Sequence, residues 1–130
     1  MKNTPPSPRK ALLAVAAAFL LLSPSRTVLG FTLQKDAVHP RIFSPNGDSI
    51  NDVVFFDVAN PLQDSLEGRI YDSEGAPVAS IRFDSPLGGN VERWVWDGRD
   101  ENGNTVRSGI YIYEVKNGRD AITGTVVVAQ

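Results

Sequence analysis

The 130-residue chain has no cysteine, one histidine and one methionine. Without cysteine there are no disulfides, no thiol nucleophile and no cysteine-held zinc. The lone histidine, His39, precedes Pro40 and has no second histidine for a metal site or a Ser–His–Asp triad. It reads as a strand-end residue. No glycine-rich phosphate loop is present either. Long apolar runs are equally scarce. Residues 11–22 form an unbroken stretch of twelve, short of the roughly twenty that cross a bilayer. Lys2, Arg9 and Lys10 precede that stretch, and Val28-Leu29-Gly30 supply small or aliphatic side chains before Phe31. Basic, apolar and small-residue regions in that order read as a secretory signal peptide over residues 1–30, cut before Phe31. With no cysteine after the run, lipoprotein processing is excluded. The expectation is an exported protein, in the periplasm, on the cell surface or in the medium, with no membrane insertion after cleavage.

Residues 31–130 are then one domain, just large enough for a single core. This part carries nine basic and fifteen acidic residues, a net charge of −6 against −2 for the whole chain. An acidic domain without a basic stripe argues against nucleic acid or an anionic membrane as partner. Small exported domains often rely on disulfides; this one has only hydrophobic packing or a bound metal ion to use.

No stretch of the domain shows sustained helical periodicity. Short strand-like runs separated by turn signals fall at residues 31–38, 53–58, 66–71, 78–83, 91–96, 110–116 and 122–129. Seven such runs predict an all-β, immunoglobulin-like antiparallel sandwich. Asp72-Ser73-Glu74-Gly75 and Asn117-Gly118 read as hairpin connections. The run 91–96 and the run 110–116 read as a further hairpin with a long, glycine-punctuated connection. Proline and glycine make residues 85–90 a mobile loop. Trp94 and Trp96 lie on the same side of their strand, which suits core or core-edge packing; a sugar-stacking platform is the alternative.

Two motifs stand out. Residues 93–115 read R-W-V-W-D-G-R-D-E-N-G-N-T-V-R-S-G-I-Y-I-Y-E-V. The marked positions are Trp94, Trp96, Asp97, Gly98, Asp100, Gly103, Gly109, Tyr111 and Tyr113. Residues 43–52 read F-S-P-N-G-D-S-I-N-D. Asn46, Asp48 and Asp52 place oxygen donors on a tight turn, as a hard cation such as calcium requires, with Asn51 or the Ile50 carbonyl completing a shell. The match to an EF-hand loop is partial, because position twelve falls on Phe55 and the bidentate acid is missing. The other reading is an Asx-rich turn whose side chains bond their own backbone. For the second acidic cluster, Asp97, Asp100, Glu101, Asn102 and Asn104, the glycine spacing suits turn geometry better than metal binding.

The first motif resembles the immunoglobulin-like module of flagellar hook-capping proteins and the C-terminal sorting domains of bacterial type IX secretion. The second resembles the F-S-P-N-G-D-G-x-N-D signature of gliding-motility and type IX sorting domains, with Ser49 in place of the second glycine. The resemblance implies a non-catalytic surface or secreted interaction module whose partner is a protein of the secretion or surface-assembly machinery. Two alternatives stand beside it: a structural module of the hook-capping type, and a carbohydrate-binding module using Trp94, Trp96, Tyr111 and Tyr113. Catalysis is not expected, since a hundred-residue sandwich has little room for a cleft that sets one carboxyl pKa against another.

Overall fold

A computed structural model describes residues 30–130. The proposed signal peptide, apart from Gly30, lies outside the described residues. Those residues form eight strands and no α-helix: β1 (Val38–His39), β2 (Ile42–Phe43), β3 (Val54–Ala59), β4 (Glu67–Tyr71), β5 (Pro77–Gly88), β6 (Val91–Trp96), β7 (Gly109–Lys116) and β8 (Ala121–Val128). They form one mixed sheet in the order β1-β3-β6-β5-β4-β7-β8-β2. The strands at its two ends, β1 and β2, are neighbours in sequence, so the sheet curls until it is nearly closed into a barrel. The long strand β5 makes the bend. Its first half pairs with β4 and its second half, from Arg82, pairs with β6.

Period-two burial decides which residues fill the interior. In β3, Val54, Phe56 and Val58 point inward while Phe55, Asp57 and Ala59 do not. In β7, Tyr111, Tyr113 and Val115 are buried; in β8, Val126 and Val128 are. Trp96 and Phe43 complete that core, and Phe31 enters it from outside the sheet.

Four expectations need correction. The largest concerns β6 and β7, which the sequence predicts as partners in a hairpin. Strand β6 pairs with β3 and β5, and β7 with β4 and β8, so residues 97–108, largely exposed, cross over one end of the barrel from one side to the other. That connection is far longer than the two to five residues of ordinary hairpins, a length that suits a crossover. Second, residues 31–38 are not a continuous strand. Only Thr32 bridges to Ala59, a 3-10 turn follows at Lys35–Ala37, and strand geometry begins at Val38. The polar run Gln34-Lys35-Asp36 has no apolar alternation to hold it on the sheet. Third, β2 is an additional strand, laid parallel on β8 through Ile42↔Val127 and Phe43↔Val128. Two residues are too short for a periodicity signal. Fourth, the expected mobile loop is strand: β5 runs to Gly88. Register shifts after Phe83 and after Pro86 absorb the irregular residues, and Gly88, Gly89 and Asn90 turn the chain with positive φ.

A candidate recognition pole

Both motifs converge on one end of the barrel. The chain leaves β2 into the loop 44–52 and leaves β6 into the loop 97–108, and the two touch. Gly98 has φ +75°, and a Cβ there would lie 2.6 Å from the Pro45 ring. The glycine of the W-D-G triplet therefore serves both as a turn residue and as the seat for Pro45. Beneath this contact a chain of rings ties the loops to the core. Phe43 meets Trp96 edge-on at 5.5 Å between centroids, and Trp96 meets Tyr111 at 5.5 Å. The buried Trp96 indole satisfies its N–H on the Arg99 carbonyl at 2.9 Å, and the Tyr111 hydroxyl donates to the Arg107 carbonyl at 2.8 Å. Burial, and then the Asp72 carboxylate, push the Tyr111 phenol above its ordinary pKa.

Each loop is organised by a carboxylate. In the first, Asp52 Oδ1 accepts the Asn46 and Gly47 N–H groups at 3.1 and 2.9 Å, and Oδ2 accepts Ser49 N–H at 2.6 Å. Asn46 Oδ1 accepts Asp48 N–H, and Asp48 Oδ1 accepts Ile50 N–H. The three residues put forward as calcium ligands thus hold five backbone donors between them, the Asx-turn arrangement. In the second loop Asp100 Oδ1 accepts the Asn102 and Asn104 N–H groups, Asp97 Oδ1 accepts Arg99 N–H, and Arg99 donates to the Gly103 carbonyl. Gly103 turns the tip with φ +84°. No group of three or more His, Asp or Glu side chains converges on a metal-holding arrangement among the described residues. An open groove of about 480 Å³ runs beside the second loop between Pro77, Val78, Val106 and Tyr111, with Asp100 and Glu101 on its rim.

The remaining motif residues fall elsewhere. Gly109 opens β7. Tyr113 is buried against Phe56 at 5.1 Å. Trp94 is half-buried toward the far end, its indole N–H on Glu92 Oε1 and its ring edge-on to Phe83. Trp96, Tyr111 and Tyr113 are at most 8% exposed, so the four-ring sugar platform has no surface to present.

Sequence reasoning also passed over two polar clusters. Arg93 donates to both oxygens of Asp57 at 2.7 and 2.8 Å, and His39 Nε2 lies 2.9 Å from Asp57 Oδ2. The Arg93 guanidinium above all, with His39 behind it, holds the Asp57 carboxyl below its usual value despite its partial burial. At the far pole, buried Asn60 donates to Glu92 and accepts Asp64 N–H, and Asn117 donates to Asp64. An acid inside the apolar run V-F-F-D-V was the available signal for the first cluster.

With that geometry in place, the family model of the type IX secretion signal domain, CHU_C, matches residues 37–128. The chain belongs to that family. The match takes in both motif loops and all eight strands from Val38 onward. Membership in the type IX secretion signal domain family implies a secreted or cell-surface protein. No curated protein matches the chain.

Proposed function

We propose that this domain is a non-catalytic sorting module, read by a protein of the type IX secretion machinery at the pole where loops 44–52 and 97–105 meet. The observation that carries the reading is the Gly98–Pro45 contact. It joins two motifs about fifty residues apart in sequence into one surface, although each loop could turn the chain without the other. Recognition needs such a preformed surface, since rigid partners lose less entropy on binding. The strand order further supports an immunoglobulin-like sandwich, with β1, β3, β6 and the second half of β5 in one layer and β4, β7, β8 and β2 in the other. In that arrangement the segment 38–43 passes from the edge of one layer to the edge of the other.

The test is a transplant. Residues 31–130 fused behind a reporter with a cleavable signal peptide should carry the reporter to the surface or medium of a bacterium that has type IX secretion. Retention of the folded fusion in the periplasm would overturn the sorting role.

A further inference from the structure

We propose that Ile50 is the anchor by which the secretion partner grips the pole, entering an apolar socket in that partner whose rim is basic. The proposal rests on the sorting role above and deepens it.

Ile50 sits at the tip of loop 44–52 and is 65% exposed. A single exposed isoleucine is ordinary; the backbone that presents this one is not. Both of its neighbours adopt left-handed conformations without being glycine, Ser49 at φ +69° and Asn51 at φ +54°. Asparagine takes this conformation readily, but serine bears a backbone cost for it, and such residues cluster at functional sites. Among the described residues, Ile50 alone of the exposed large apolar side chains is flanked by two of them. The aim is then fixed. Ile50 N–H is held by Asp48, Ser49 N–H by Asp52, and the Asn51 carbonyl by Ser44 N–H. Below the tip, Pro45 rests on Gly98 and Phe43 on Trp96. An apolar side chain held outward on a rigid support matches the buried anchors that dominate protein–protein affinity.

Charge defines the socket's surroundings. Loops 44–52 and 97–108 carry Asp48, Asp52, Asp97, Asp100 and Glu101 against Arg99 and Arg107, a net of −3, with Arg82 of β5 lying 3.5 Å from Asp97. That field opposes a second copy of the same pole and an anionic lipid surface, and favours a basic rim.

The reporter fusion supplies the test. Ile50→Asp should lower release about tenfold or more, as loss of an interface anchor does, while the melting temperature stays within about 2 °C because the side chain is exposed. Leu62→Asp, an equally exposed apolar site at the far pole, should release as wild type. Ile50→Ala should fall between wild type and Ile50→Asp. Ile50→Lys should release less than Ile50→Ala, since its charge meets the basic rim; release at or above wild type would point to an anionic surface and overturn the proposal. Normal release by Ile50→Asp would also overturn it and leave the sorting role standing. If the wild-type fusion itself is retained, the sorting role fails and this inference with it.

Discussion

Loops 97–105 and 44–52 meet at Gly98 and Pro45, yet they are held by different means. The first is an extension of the core: its Arg99 carbonyl takes the N–H of Trp96, which is 1% exposed and touches both Phe43 and Tyr111. The second has little buried material between Ser44 and Asn51 and is organised instead by Asp52, which gathers three N–H groups from its own loop. One loop inherits its shape from the fold, and the other makes its shape from local hydrogen bonds. A core-built loop should melt only with the domain, whereas a locally built loop should loosen alone, because its bonds close within nine residues of chain.

The strongest way to break the comparison is Trp96→Ala. Removing a fully buried indole should cost about 3–5 kcal/mol and disorder both loops together, because Phe43 and Tyr111 lose their shared neighbour. Urea unfolding measures the loss. A cost below about 1 kcal/mol would mean that the core does not depend on this ring.

Asp52→Ala should separate the loops. It frees three N–H groups that water can still reach, so the global cost should be about 1–2 kcal/mol. Amide exchange should rise at Gly47 and Ser49 while Gly103 and Asn104 keep their protection. Equal loosening of both loops would show that the pole is one cooperative unit.

These differences explain what the sequence disclosed. Turn chemistry is local, so N-G-D-S-I-N-D and D-G-R-D-E-N-G could be read as built turns without knowledge of the fold. Strand-favouring runs likewise marked the places of β3, β4, β6, β7 and β8 to within a residue. What alternation cannot supply is the partner of each strand: W-V-W and I-Y-I-Y have compatible patterns, and nothing within them says that they lie on opposite sides of the barrel. The same limit hid the Asp57–Arg93 pair, 36 residues apart, and the bond from Asn60 to Glu92, because each depends on β3 lying beside β6. The pole was half legible: both loops were recognisable, and their meeting at Gly98 was not.

Ser49→Gly sharpens the comparison with a smaller change. Ser49 has φ +69°, a conformation glycine adopts freely, which gives a physical reason for glycine at this place in the resembling signature. Relief of the backbone strain, less the entropy glycine adds to the unfolded chain, should stabilise the domain by about 0.5 kcal/mol. A destabilised variant would mean that the serine side chain contributes more than its backbone costs.

Calcium should produce the smallest effect, and it bears directly on how loop 44–52 is held. A metal bound only to the folded state adds RT ln(1 + [L]/Kd), about 2.7 kcal/mol at a hundredfold excess over Kd. To enter this loop it would have to share or displace Asn46 Oδ1, Asp48 Oδ1 and both oxygens of Asp52, all of which already accept backbone N–H groups. The loop also lacks a bidentate acid like the one that closes an EF-hand. If the hydrogen bonds alone set its shape, thermal unfolding in millimolar calcium and in chelator should give the same midpoint, for the wild type and for Asp48→Ala. A midpoint that rises with calcium in the wild type and not in Asp48→Ala would make the loop a cation site, with Asp52 serving the metal rather than the backbone.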